Sequence, residues 1–108
     1  VHGAGRAIVW HVYVLRAKNG SLYTGIATDV DRRLAEHEKA RGKGAKSLRG
    51  RGPLRMEYRT AVGSRVLALK VEHGIKRLSK IEKEQLIEAN PDTPGLLEML
   101  AIRRAAGA

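Results

Sequence analysis

The sequence predicts a small α+β domain in the order ββαβααα: a three-stranded sheet, made of an N-terminal β-hairpin plus one later strand, flanked by helices. Three observations carry that prediction. Residues 8–16 and 21–27 are rich in β-branched and aromatic side chains and are joined by a turn signal at Asn19-Gly20. Residues 54–60 alternate apolar and charged side chains with period two. From Ser64 onward, apolar residues recur at helical spacing instead.

Each element has its own local reason. IVWHVYVLR at 8–16 suits an extended, packed strand, and SLYTGIA at 21–27 its hairpin partner. Thr28 or Asp29 caps a helix of about residues 30–41, with Asp31 three positions after Thr28. A Gly/basic connection, RGKGAKSLRGRGP, runs to Pro53. In LRMEYRT, Leu54, Met56 and Tyr58 are expected on one face, with Arg55, Glu57 and Arg59 on the other. Ser64 opens a helix with an apolar stripe of Leu67, Val71, Ile75 and Leu78. Ser79 with Glu82 forms a capping box for a helix to about Ala89, where Asn90-Pro91 stops it. Thr93 as cap and Pro94 at the first helical position start a last helix carrying Leu96, Leu97, Leu100 and Ile102. Residues 8–89 are expected to form the main domain, with 90–108 as a helical extension packed on it.

Composition narrows the function. The 108 residues suit one domain, and the absence of cysteine removes disulfides, thiolate nucleophiles and thiolate metal sites. No apolar run approaches the roughly 18 residues of a membrane span, and the start lacks the order of a secretion signal. The expectation is a soluble, cytoplasmic protein. There are 21 Lys+Arg against 11 Asp+Glu, a formal net charge of +10. Between Arg32 and Arg59, ten basic residues face three acidic ones, so about a quarter of the chain carries a surplus of seven. Charges this dense repel one another until a polyanion arrives. The connection's Lys43, Lys46, Arg49 and Arg51 are the candidate nucleic-acid contacts. With only Trp10 and three tyrosines as aromatics, backbone contact is favoured over base stacking.

The hairpin register points to a site. A three-residue Lys18-Asn19-Gly20 loop pairs Ala17 with Ser21 and makes a G1 bulge. Val12, Val14, Leu22, Thr24 and Ile26 then share one face, and His11, Tyr13, Leu15, Tyr23 and Gly25 the other. Tyr13 falls opposite Gly25, whose missing side chain leaves space for a ligand, and the two phenols become diagonal neighbours.

These residues resemble the GIY-YIG nuclease module. The similarity runs from about Trp10 to Ile87 and rests on HVY at 11–13, YTG at 23–25, Arg33 ten residues after Tyr23, His37 four further on, and Glu72 in ALKVEHGIKRL. Small stand-alone bacterial proteins of this type are the nearest likeness. HVY and YTG are drifted half-motifs, Ile26 stands where the repair nuclease of the family has a lysine, and no asparagine fits the late position of the homing enzymes. The resemblance implies an endonuclease that hydrolyses phosphodiesters with one Mg²⁺ or Mn²⁺. Tyr13, Tyr23 and Gly25 match the half-motif positions, Arg33 the catalytic arginine, His37 an active-site histidine and Glu72 the metal-binding glutamate.

The residue chemistry agrees with that resemblance. Arg33 offers a permanent cation whose planar fork suits phosphate, and His37, one turn on, titrates near neutrality. A single carboxylate at Glu72 suits Mg²⁺, which keeps waters and takes phosphate oxygens as further ligands. A phenol of pKa about 10 is roughly one part in a thousand ionised at pH 7. Tyr13 or Tyr23 can act as base only with a lowered pKa or by passing its proton onward, and a rate rising between about pH 7 and 9 is expected. P-loop, GxGxxG and HExxH patterns are absent. The expected partner is DNA, with single-stranded or unusual structures open. The alternatives are RNA as substrate, a non-catalytic nucleic-acid-binding module of the same fold, or an adaptor whose last helix docks a protein. A protein partner for targeting is also open, and a membrane is not expected.

Overall fold

The hairpin fixes the frame. In the computed structural model, which describes residues 8–39 and 54–102, strand β1 (Trp10–Arg16) pairs antiparallel with β2 (Leu22–Ala27). Ala17 N–H donates to Ser21 O at 2.9 Å and Gly20 N–H to Ala17 O at 2.9 Å. Gly20 takes a φ of 88°, the left-handed position that a G1 bulge requires and glycine adopts without strain. The expected register therefore forms, with Tyr13 opposite Gly25 and Leu15 opposite Tyr23.

Strand β3 (Arg55–Gly63) pairs antiparallel with β1 on its other side, giving the order β2-β1-β3. One sequence expectation fails here. Val14 pairs with Tyr58 but Leu15 with Met56, so Glu57 is the extra residue of a bulge. Met56 and Tyr58 consequently enter opposite faces of the sheet rather than one.

Helices cover both faces. Helix α1 (Val30–Lys39) brings Val30 and Leu34 onto Tyr13, Leu15, Ala27 and Met56. Asp29 caps it, its carboxylate accepting from Arg32 N–H at 3.0 Å. On the other face, α2 (Arg65–Lys76), α3 (Lys80–Ala89) and α4 (Thr93–Met99) join the core of Val12, Val14 and Tyr58 through Val71, Ile75, Leu86, Leu96 and Leu97. Ser64 caps α2, and the capping box of Ser79 and Glu82 opens α3 as expected. The cap of α4 is Asp92, not Thr93, because Thr93 Oγ1 is engaged by the Ala61 carbonyl and by Thr60 Oγ1. The apolar face of α4 covers the core, so it is not an unpartnered docking face.

A charged clasp holds α3 to the loop end of the hairpin. Arg16 donates from Nε to Glu57 at 2.8 Å and as a fork to Glu84 at 2.8 and 2.6 Å. The Lys80 ammonium donates to the Gly20 carbonyl, on the same loop. The start of β2 and the first turns of α3 are thereby fixed side by side.

Candidate active site

The sheet's alternation sends Tyr13 toward α1, while α2 crosses close enough to the edge strand to bring Glu72 over it. The result is an open cleft of about 380 Å³ at the β2 edge, lined by Tyr13, Tyr23, Gly25, Arg33, His37 and Glu72 among others. Residues from two strands and two helices, separated by up to 59 positions, share one concavity.

Tyr13 is the most enclosed of them, at 5% exposure. Its phenol lies against Gly25 so closely that a Cβ there would come within 2.5 Å of Oη and 2.6 Å of Cζ. The space beside Gly25 is thus filled by the phenol itself, a correction to the expectation of ligand room at that point. Gly25 is required so that the hydroxyl end of Tyr13 can lie against the edge strand. Tyr13 Oη sits 3.4 Å from His37 Nε2. Burial pushes the Tyr13 hydroxyl above its ordinary value, with the Arg33 guanidinium pulling the other way and Glu72 adding to the rise. Burial, helped by the charge of Arg33, pushes His37 below 6.5, against a weaker opposing pull from Glu36. The imidazole is accordingly neutral at pH 7, with a nitrogen able to accept.

Arg33 is half exposed and reaches Glu36 at 3.3 Å, a surface pair worth little and easily surrendered to phosphate. Glu72 is mostly covered, 19% exposed, and meets the Lys76 ammonium at 3.3 Å. Among the described residues no three His, Asp or Glu side chains cluster as a ready cation cage.

The candidate contacts Lys43, Lys46, Arg49 and Arg51 lie outside the described residues. Two charged lining residues escaped the sequence reading as cleft groups: Lys76, seen only as a neighbour of Glu72, and Lys83 on α3. Helical spacing carries no signal for them, because it does not say which helix flank meets the edge of a sheet. No helix of the described residues is long and apolar enough to cross a membrane.

The family match puts the chain in the class of nuclease-type catalytic domains. Residues 9–85 match the GIY-YIG catalytic domain, and the chain belongs to that family, whose members generally use divalent metals and act on nucleic acid. It is 52% identical over 84 residues to the "UPF0213 protein in potE 3'region" of Serratia liquefaciens, spanning 78% of this chain and 80% of that one. A UPF0213 protein of Yersinia enterocolitica is 47% identical over 95 residues, 88% of this chain and 94% of the relative. The solution NMR structure of a UPF0213 protein from Bacillus halodurans superposes with a TM-score of 0.51 at 41% identity, covering 88% of this chain and 99% of that one.

Proposed function

We propose that this protein is a metal-dependent endonuclease that hydrolyses DNA phosphodiester bonds in the cleft at the β2 edge. The observation that carries this reading is the convergence of Tyr13, Tyr23, Arg33, His37 and Glu72 on one concavity. Residues 8–89 supply the catalytic unit, with the chain after them as an extension packed on it.

Cleavage needs an activated water, a stabilised phosphorane and a neutralised leaving oxygen. Arg33 meets the phosphate's non-bridging oxygens and takes up the charge that grows on them. Tyr13 keeps its proton at neutral pH, so it serves as base by relay. Its oxygen accepts the proton of the attacking water while its own proton passes to His37 Nε2, leaving an imidazolium, and the water oxygen bonds to phosphorus as the ester P–O bond breaks. Tyr23, on the same face of the hairpin, orients the phosphate and the water. Glu72 would hold the divalent cation, Mg²⁺ or Mn²⁺, which when bound supplies neutralisation of the leaving oxygen. The pair of Glu72 with Lys76 is worth only about 0.2–0.5 kcal/mol and does not oppose this role.

The relay alters the expected pH dependence. A neutral His37 is needed, so the rate falls as pH drops below the lowered His37 value and is level from about pH 7 to 9. A rise of about tenfold per pH unit over that window would instead indicate a phenolate base.

The test uses purified protein with labelled single-stranded, duplex and branched DNA, with and without Mn²⁺, beside Glu72→Ala. Cleavage that requires Mn²⁺ and disappears in Glu72→Ala, with DNA binding retained, is expected. Binding without cleavage of any DNA by the unaltered protein would overturn the reading, and a parallel RNA substrate shows whether RNA is the true target. Binding should weaken with salt at a log–log slope of roughly −0.7 to −0.9 per phosphate neutralised.

A further inference from the structure

We propose that Lys83 is a phosphate-binding residue of the cleft, which holds a nucleic-acid strand one or more nucleotides away from the reacting phosphate. The strand then lies along β2, from Lys83 at one end to Arg33 at the other. This deepens the reading above and rests on it for the identity of the ligand.

The cations around the hairpin differ in how they are satisfied. Arg16 is held by Glu57 and Glu84, Lys80 pairs with Glu84 at 3.5 Å, and Lys76 pairs with Glu72. Lys83 lines the cleft, is half-buried, and forms no ion pair with any described carboxylate. A cation that lines a concavity without a counter-charge beside it is a site that an anion improves. The cleft as a whole favours one: its lining holds Arg33, Lys76 and Lys83 against the single carboxylate of Glu72, with His37 neutral.

Position makes the anion a strand rather than a lone phosphate. The clasp at Arg16 and Gly20 fixes the first turns of α3 beside the beginning of β2, where Leu22 borders the cleft. Arg33 also borders a second recess with Ile26, Ala27 and Thr28, at the far end of β2. Four steps along a strand, from Leu22 to Ile26, cover about 13 Å at roughly 3.3 Å per residue. Successive phosphates of a duplex strand advance about 3.4 Å each along the axis. Lys83 and Arg33, at opposite ends of this stretch, are therefore placed to hold different phosphates of one strand.

The test is anisotropy of a labelled single-stranded DNA oligonucleotide in EDTA across a salt series, with the full chain and its Lys83→Gln, Lys83→Arg and Lys70→Gln variants. Lys70 is exposed on α2 and does not line the cleft. Lys83→Gln should raise Kd several-fold and shrink the log–log salt slope by about 0.7, the share of one single-strand phosphate. Lys83→Arg should restore both, and Lys70→Gln should leave both unchanged. Should Lys83→Gln melt early, Lys83→Met keeps the apolar stem and is read in its place. Equal Kd and slope for Lys83→Gln and Lys70→Gln would overturn the proposal, as would failure of the unaltered protein to bind the strand. The assay needs no catalysis. Lys83-dependent binding without Mn²⁺-dependent cleavage removes the nuclease reading alone, and cleavage with no Lys83 effect on binding removes this proposal alone.

Discussion

Tyr13 and Tyr58 stand on adjacent strands of one sheet, both buried, and the two regions around them use the phenol in opposite ways. Tyr58 lies in the core between the sheet and α4, and its hydroxyl donates to the Pro91 carbonyl at 2.7 Å. Burial pushes that hydroxyl up to about 12. Tyr13 is pushed up by burial too, yet its oxygen faces a cleft with a neutral imidazole, a guanidinium and a carboxylate around it. Burial alone therefore does not mark a reactive phenol. What separates the two is the partner: a backbone carbonyl that only accepts, against side chains that exchange protons and meet an anion.

Arg33→Ala should break the cleft side of the comparison and spare the core side. Losing one preorganised charge-stabilising group costs about 10²–10³-fold in rate. Its only described ion pair, with Glu36, is solvent-exposed, so a thermal melt should move little. A drop in melting temperature matching the loss of activity would make Arg33 structural.

Gly25→Ala mixes the two roles. The added Cβ collides with the Tyr13 ring end, and overpacking of this kind costs about 1–3 kcal/mol. Urea unfolding should show that loss, with cleavage reduced further even when compared at equal folded fraction. Unchanged cleavage at equal folded fraction would show that the position of the Tyr13 phenol is irrelevant to the chemistry.

The smallest effect lies at the hairpin clasp. Hydrogen bonds from Arg16 hold Glu57 below the usual carboxylate range and Glu84 at about 2. Below about pH 4.5 the unfolded chain binds more protons at these groups than the folded one. The clasp therefore stabilises above that pH, and its contribution is lost as pH falls toward 2. Arg16→Leu should flatten this stretch of the stability–pH curve, read by denaturant midpoints.

Much of this was legible in the sequence because it is local. The left-handed turn at Gly20 follows from Lys18-Asn19-Gly20, and once Ala17 pairs with Ser21, alternation alone puts Tyr13 opposite Gly25. Ser64 and Ser79 announced their helices through side-chain oxygens that reach N–H groups three residues on. The bulge at Glu57 was not legible, since clean alternation from Leu54 to Arg59 gives no hint of how β1 will pair with it. Asp92 and Thr93 are adjacent residues of the capping type, and contacts with β3 decided between them. The five proposed site residues were picked out by the family resemblance, with which their chemistry agrees, but their meeting at one edge depends on how α2 crosses the sheet. Lys83 depends on the same packing and left no trace in its own segment.

The most direct test of the contrast is a paired measurement of cleavage rate and melting temperature for Tyr13→Phe and Tyr58→Phe. Tyr13→Phe should slow Mn²⁺-dependent DNA cleavage by about 10²–10⁴-fold, the range for a lost acid–base group. Tyr58→Phe should keep the rate and lose about 0.5–1.5 kcal/mol with its buried hydrogen bond. A Tyr13→Phe enzyme that cleaves like the unaltered protein would contradict the account.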